Sequence, residues 1–266
     1  MIRVGIDAGA SLWKLAQVEE ESLDLELFPA GAVEEVRHRI GDWAPGQVHV
    51  TGGGATKIEA ALEGILVRHI SEFEAWARGA PVLAGRAGWA LPQRYLLVSL
   101  GTGTSVLEIG GRVVQRLGGM ALGGGTLLGL ARLLCRAESY AEVAELASRG
   151  QRGQVDLLVG DVYPGADLAA IGLDPGLTAS SFAKLASREP QDLAHALMGL
   201  LGESVAIASS AMAHSRSIET LVFGGSALEG NPTLQEILKR TVEMSGREAW
   251  ILPDGAFCGA VGAALS

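Results

Sequence analysis

The chain has 266 residues, of which 48% are hydrophobic and 19% are charged. This length and composition predict a globular protein with a substantial core, either one large domain or two small lobes. Lys and Arg total 21 and Asp and Glu total 30, so the net charge is -9. An acidic chain without basic runs argues against a nucleic-acid partner.

The N-terminus and the cysteines narrow the cellular setting. "MIRVGID" enters an apolar strand without a charged leader, and no segment has the roughly 18 uninterrupted apolar residues expected of a membrane span. Cys135 and Cys258 stand far apart without a CxxC pair or a His-rich neighbour, which predicts two packed thiols rather than a disulfide or a zinc site. We therefore expect a cytoplasmic protein that does not contact a membrane.

Two segments of the chain are similar to each other. "RVGIDAGASLWKLAQVE", from Arg3, and "LLVSLGTGTSVLEIGG", from Leu96, each contain an apolar strand, a turn rich in Gly, Ser and Thr, and a second β-rich strand. Each predicts a β-hairpin with a polar tip that contains glycine. The two hairpins lie about 90 residues apart, which matches one α/β lobe. The sequence therefore predicts two related lobes that face each other across a cleft.

The segments after each hairpin alternate between strand and helix signals. "QVHVTGGGATKIEAAL" predicts a strand, a glycine turn and a helix, "RLGGMALGGGTLLGL" runs into an apolar helix, and "DLAHALMGLLGESVAIASSAMAHS" predicts a long helix. "TLVFGGSALEGNPTLQEILKRTVE" and "AWILPDGAFCGAVGAALS" each predict a strand, a turn and a helix. Because no linker interrupts this order, we place the boundary near residues 80–91, with lobes of residues 1–85 and 86–266.

The glycines of these turns predict an anion site. Backbone N–H groups hold a phosphate at short range only where no Cβ intervenes, and a helix that starts there adds the positive end of its dipole. Gly123, Gly124 and Gly125 precede a helix whose first N–H groups are predicted to point into the cleft. The alternative is that these glycines only permit tight turns or close packing.

Missing motifs narrow the class of nucleotide site. The sequence has no G-x-x-x-x-G-K-[ST], which excludes a P-loop, and no G-x-G-x-x-G opens a helix after the first strand. The remaining pattern, "GIDAGAS" with a second Gly/Thr hairpin one lobe later, resembles the superfamily of sugar kinases, actin and heat-shock ATPases. That resemblance implies an α/β fold of two ribonuclease-H-like lobes with a nucleotide cleft between them.

Nine motifs in order carry a closer resemblance that runs nearly from end to end. They are "GIDAGASLWKLA", "TGGGATK", "SEFEAWARG", "LLVSLGTGTSVLEI", "RLGGMALGGGTLLGL", "VDLLVGDVYPG", "ASSFAK", "FGGSALEGN" and "FCGAVGAAL". Together they resemble the type II pantothenate kinases in the compact bacterial form. The resemblance implies ATP-dependent phosphorylation of the terminal hydroxyl of pantothenate, the first step of coenzyme A biosynthesis, by a homodimer that uses Mg²⁺.

A carboxylate suits the role of accepting a proton from the attacking hydroxyl. Glu72 and Glu74 are the candidates, and Ser71 with Glu74 matches a capping box, which leaves Glu72 without a structural explanation. Glu72 also matches the position of the family's catalytic glutamate, so we predict it as the base. The alternative is a solvated acid in the first turn of a helix.

Arg116 precedes the glycine run, and a guanidinium can bind the carboxylate of pantothenate through two parallel hydrogen bonds. The resemblance implies that Arg116 and Ser105 bind substrate; an exposed charge at a strand end is the alternative for Arg116. Asp7 is predicted to position Mg²⁺, or else only to stabilise a turn. The predicted nucleotide-binding residues are Asp7, Gly9, Ser11, Lys14, Gly101, Thr102, Gly103, Gly123, Gly124, Gly125, Thr126, Gly224 and Gly225.

Two positions depart from the family pattern. Ala10 and Ser11 stand where the family more often has Gly followed by Thr, which affects phosphate-facing positions. Met120 stands where the family usually has Thr, and a thioether cannot donate a hydrogen bond. Two other functions therefore stay open: a kinase of the same fold for a sugar or another small alcohol, and a non-catalytic ATP-binding switch.

Overall fold

The computed structural model describes residues 2–20, 22–62, 64–111, 113–165, 168, 170 and 172–266. Within them the chain forms two five-stranded sheets and a two-stranded ribbon. The elements of the first half are β1 (Arg3–Ala8), β2 (Leu12–Val18), β3 (Leu23–Pro29), α1 (Val33–Trp43), β4 (Gln47–Thr51), α2 (Ala55–Ala61), β5 (Leu66–His69) and α3 (Glu72–Arg86).

The second half contains more helices, and β9 and β10 form its ribbon. Its elements are β6 (Arg94–Leu100), β7 (Thr104–Gly110), β8 (Val113–Met120), α4 (Gly124–Leu134), α5 (Tyr140–Arg149), β9 (Leu157–Leu158), α6 (Val159–Val162), β10 (Thr178–Ser180), α7 (Pro190–Ser215), β11 (Thr220–Gly224), α8 (Pro232–Met244), β12 (Glu248–Ile251) and α9 (Cys258–Ala264).

The two large sheets share one topology. Their strand orders are β3-β2-β1-β4-β5 and β8-β7-β6-β11-β12, read in the same direction. In each sheet the first three strands along the chain pair antiparallel in sequence, the fourth pairs parallel with the first, which is the central strand, and the fifth pairs parallel with the fourth. The predicted hairpins are therefore confirmed, and the internal repeat extends to five strands in each half.

The central strands β1 and β6 are buried along nearly their whole length, which explains why they are continuous apolar runs in the sequence. Local signals explain where several helices begin. The Asn231 side chain accepts a hydrogen bond from the Leu234 N–H at 3.2 Å at the start of α8, and Ser139 caps α5 in the same way. Pro190 occupies the first turn of α7, where it costs no hydrogen bond.

The last helix, α9, returns to the first half of the chain and packs on α3, β1, β2 and β4. Residues 80–91 lie between the two sheets in the chain, so each sheet falls on one side of the predicted boundary. A Cβ at Gly79 would overlap the carbonyl oxygen of Cys258, and one at Gly262 would overlap that of Ala75. Glycine at these crossing points therefore allows α3 and α9 to approach closely.

Among the described residues one helix, α7, is long and apolar enough to cross a membrane, and 67% of its most apolar window is buried inside the chain. That burial is typical of a core helix, because α7 packs against α4, α5 and α8. Cys135 and Cys258 are both buried free thiols, as predicted.

Candidate active site

A cavity of about 1620 Å³ lies between the two halves. It lies at the hairpin tips and at the carboxyl ends of the central parallel strands, where open α/β sheets place their ligands. Most of the predicted site residues line it: Asp7, Gly9, Ser11, Lys14, Glu72, Gly101, Thr102, Gly103, Ser105, Arg116, Gly124 and Gly125. Ala10 and Met120, the two departures from the family pattern, line it as well.

Four predicted residues are not on the cavity wall, and each has a packing role. A Cβ at Gly123 would lie 2.6 Å from the Cα of Gly103, and one at Gly224 would lie 3.2 Å from the carbonyl oxygen of Gly255. Gly225 has a φ of +111°, in the region that favours glycine. The Thr126 hydroxyl donates to the carbonyl oxygen of Ala121 at 2.6 Å.

Asp7 lies near the end of β1 and is 5% exposed. Gly52 and Gly259 leave room for its carboxylate, because a Cβ at either position would lie within 3.0 Å of a carboxylate oxygen. The Nζ of Lys14, directly opposite on β2, is 3.8 Å from Oδ2 of Asp7. Burial raises the pKa of the Asp7 carboxyl to about 6; Lys14 opposes the rise and Glu72 adds to it.

Glu72 is the first residue of α3 and is exposed to the cavity. Ser71 is the N-cap residue, but its side chain makes no capping hydrogen bond, so the predicted capping box is wrong. A capping role can therefore no longer be used to exclude Glu74 as the base. The cavity does so instead, because Glu72 lines it and Glu74 does not.

The glycine run before α4 is attached to the second hairpin. The N–H of Gly124 donates to the carbonyl oxygen of Gly101 at 2.8 Å, and the N–H of Gly125 donates to that of Thr102 at 3.0 Å. These two N–H groups are therefore not free for an anion, contrary to the prediction for this helix start. Both glycines thus support the hairpin tip while they line the cavity.

The tips of the two hairpins contact each other across the cavity. The hydroxyl groups of Ser11 and Thr102 form a hydrogen bond of 2.9 Å. Ser11 belongs to the β1–β2 hairpin and Thr102 to the β6–β7 hairpin, so residues far apart in the sequence meet at this point. Both polar tips therefore face the same space, as the two-lobe prediction requires.

A β-bulge decides which way Arg116 points. The pairing of β7 with β8 shifts between Val106, which pairs with Gly118, and Leu107, which pairs with Arg116. The extra residue in β8 places Arg116 on the same face as Gly119, where strict alternation would put Leu117. The guanidinium lies over Gly119, because a Cβ there would be 2.5 Å from Nη2 of Arg116. Arg116 is thus in mid-strand and lines the cavity beside Ser105, which pairs with Gly119.

The sequence analysis missed one wall of the cavity. One face of α5 and the loop before α8 line this wall with Tyr140, Ala141, Ala144, Glu145, Ser148, Ser226, Ala227, Glu229 and Gly230. The Tyr140 hydroxyl donates to the carbonyl oxygen of Ala227 at 2.5 Å and accepts from Nδ2 of Asn231 at 2.9 Å, which joins the two elements. The motif "FGGSALEGN" was a signal for the loop, but nothing in the sequence placed α5 opposite it.

Comparison with known proteins identifies the family. Residues 90–266 match the Fumble family. A type II pantothenate kinase of Oceanobacillus iheyensis is 34% identical over 270 residues and covers 100% of both chains. One of Bacillus cereus strain G9842 is 34% identical over 273 residues, which are 98% of this chain and 97% of the relative. The chain belongs to the type II pantothenate kinase family. Membership confirms the resemblance seen in the nine motifs and the predicted class of enzyme, an ATP-dependent kinase.

Solved structures confirm the fold class. The activator of 2-hydroxyisocaproyl-CoA dehydratase from Clostridium difficile with bound ADPNP has a TM-score of 0.65 at 16% identity, covering 100% of this chain and 93% of its own. A ROK family glucokinase from Streptomyces griseus with glucose and AMPPNP has a TM-score of 0.60 at 14% identity. The match covers 99% of this chain and 98% of the glucokinase chain. At these identities the likeness concerns the fold alone, and it is the predicted actin-like and sugar-kinase fold.

Proposed function

We propose that this chain transfers the γ-phosphoryl group of ATP to the terminal hydroxyl of pantothenate, the first step of coenzyme A biosynthesis. One observation carries the proposal beyond family membership. One cavity is lined by Glu72 and Asp7 and also by Arg116 and Ser105. The cavity therefore offers both a base for an alcohol and a cation for a carboxylate, and pantothenate contains both groups.

Glu72 is proposed as the base. Its carboxylate accepts the proton of the hydroxyl as that oxygen attacks the γ-phosphorus, the bond between phosphorus and the β–γ bridging oxygen breaks, and ADP leaves. Its position at the start of α3 suits this role, because the close packing of α3 on α9 holds the first turn at the cavity edge.

Arg116 is proposed to bind the carboxylate of pantothenate through its two parallel N–H groups. The bulge in β8 supports this, since it turns the guanidinium toward the wall that Ser105 also lines. Ser105 is proposed as a hydrogen-bonding partner of the same substrate. Met120 lies at the end of the same strand and presents an apolar side chain to the acceptor.

The nucleotide is proposed to bind with its phosphates between the hairpin tips, where Gly9, Ser11, Lys14 and the Gly101–Gly103 turn line the cavity. The adenine base is then expected in the slot between α5 and the loop before α8. Small side chains at Ala141 and Ala144 leave space there for a planar ring. Gly123, Thr126, Gly224 and Gly225 are proposed to act indirectly, by supporting these walls.

Mg²⁺ is the expected metal, and Asp7 is its proposed protein ligand. Mg²⁺ is usually held by one or two carboxylates together with substrate phosphates and water. The donor set fits, because Asp7 presents one buried carboxylate to the part of the cavity where the phosphates are proposed to bind. When it is bound with ATP, the ion would neutralise part of the negative charge of the phosphates.

A cytoplasmic homodimer without membrane or nucleic-acid partners is the proposed state. One chain already buries most of α7, but the rest of that helix exposes Ile207 (59%) and Ala211, and Leu133 of the adjacent α4 is 79% exposed. Exposed apolar side chains on these two helices favour a second copy as their partner.

A coupled ADP-release assay tests the proposed function. The purified chain with MgATP is given pantothenate, a panel of hexoses, or no acceptor. We expect ADP release that depends on pantothenate, with phosphopantothenate as the product. Turnover with hexoses alone would replace the proposal with a sugar kinase, and release that no acceptor stimulates would favour an ATP-binding switch.

A further inference from the structure

The motif "TGGGATK" contains a lysine that the proposed reaction has not yet used. Lys57 is the third residue of α2, is exposed to solvent, and lines the cavity on the wall that also carries Asp7 and Glu72. A charged side chain on this wall faces whatever the cavity binds. Its position, and the fact that its ammonium group has no ion pair with any residue that the structure describes, indicate which group that is.

The start of α2 is fixed against the base of the first hairpin. The N–H of Gly54 donates to the carbonyl oxygen of Ala8 at 2.8 Å. A Cβ at Gly52 would lie 2.7 Å from that oxygen and 2.9 Å from Oδ1 of Asp7. Lys57 follows one turn later, so its ammonium group is attached to a helix that begins beside the proposed phosphate and metal site.

The lysines of the chain differ in whether they form ion pairs. In the described part of the chain, the lysines that form ion pairs are Lys14, with Asp7, and Lys184, with Asp161. Lys57 lies in the first turn of α2, which has no acidic residue. The Lys57 ammonium is therefore available to an anion that binds in the cavity it lines.

We propose that Lys57 binds the γ-phosphate of ATP and makes the site prefer a triphosphate over a diphosphate. The assignment rests on the proposed function only in taking ATP as the ligand. A lysine ammonium suits phosphate as a mobile point charge, whereas the planar guanidinium of Arg116, which also lines the cavity, suits a carboxylate. Lys14, which also lines the cavity at the first hairpin, is paired with Asp7, whereas Lys57 forms no ion pair with the residues that the structure describes, and we assign it to the terminal phosphate.

Calorimetric titrations with AMPPNP and with ADP, both in Mg²⁺, test the proposal. Lys57→Met keeps the length of the side chain and removes its charge. We expect it to weaken AMPPNP binding about tenfold or more, the loss of one charge-assisted hydrogen bond, and ADP binding less than twofold. Lys57→Arg should retain most of the preference. Lys239→Met, an exposed lysine on α8 away from the cavity, is the matched control and should bind both nucleotides normally.

Three results would overturn the assignment. Equal weakening of both nucleotides would mean that Lys57 has a packing role or contacts the inner phosphates. Unchanged nucleotide binding with a raised KM for pantothenate would assign it to the acceptor, and no change at all would leave it a surface charge. Should Lys57→Met not fold, Lys57→Gln gives the same comparison. The titrations need no acceptor, so they remain decisive even if the chain does not phosphorylate pantothenate.

Discussion

Glu72 and Glu74 lie in the same helical turn, yet only Glu72 faces the cavity. If Glu72 is the base, Glu72→Gln should lower kcat on the order of 10²-fold or more while the affinity for ATP stays nearly unchanged. Steady-state kinetics with pantothenate and a separate ATP titration measure the two quantities. Glu74→Gln is the matched control and should keep normal turnover. A Glu72→Gln variant with most of its turnover would place the base elsewhere.

Asp7 gives the reaction a predicted pH dependence. Burial raises its pKa to about 6, so the carboxyl is protonated below that pH and cannot bind Mg²⁺. Activity should therefore be present above about pH 6 and kcat/KM for MgATP should fall as the pH decreases through that value. Higher free Mg²⁺ should move this limb to lower pH, because the metal competes with the proton. A kcat/KM profile that stays flat down to pH 5 would contradict the assignment.

At the scale of elements, the bulge in β8 controls the direction of Arg116. Arg116→Lys keeps the charge but loses the two parallel N–H groups, so the KM for pantothenate should rise much more than the KM for ATP. Both constants come from one set of initial-rate measurements, and the ATP constant serves as the internal control. Equal changes in the two would mean that Arg116 does not contact the acceptor.

The crossing of α3 and α9 connects stability with the site. A side chain at Gly262 would overlap the carbonyl oxygen of Ala75, one turn after Glu72, so Gly262→Val should lower the unfolding temperature and reduce kcat together. Gly85→Ala, near the other end of α3, is the matched control. Nothing lies within 4 Å of a Cβ there, and replacing a helical glycine by alanine should stabilise the protein by about 0.5–1 kcal/mol. Thermal unfolding followed by circular dichroism measures the stability of both variants, and steady-state kinetics with pantothenate measures kcat.

At the scale of the whole molecule, the exposed faces of α4 and α7 predict the oligomeric state. Ile207→Asp places a charge in the proposed interface and should convert the dimer to a monomer at micromolar concentration, as measured by light scattering. Leu66→Asp is the control, because Leu66 is similarly exposed (56%) but lies on β5, at the edge of the sheet that contains β1. If the unmodified chain already has a single-chain mass, the dimer proposal is wrong.

The sequence by itself determined both hairpins, the internal repeat and the strand–turn–helix segments that follow them, but not several other elements such as β3, α1 and α5. The predicted features follow from local signals, such as apolar runs of β1 and β6, turn glycines, and Pro or Asn at helix starts. The order of the nine motifs also identified the family, because the order and spacing of motifs can be read from the sequence without knowledge of any contact.

Only the tertiary structure decided which predicted residues reach the cavity and what the others do. The N–H groups of Gly124 and Gly125 donate to the second hairpin, although their sequence is typical of a helix start that binds an anion. The Ser71 side chain does not cap α3, although Ser71 and Glu74 match a capping box. The bulge that turns Arg116 and the wall formed by α5 arise from contacts between distant segments. A local pattern records which conformations a segment prefers, whereas hydrogen-bond partners and access to a cavity depend on the segments packed against it.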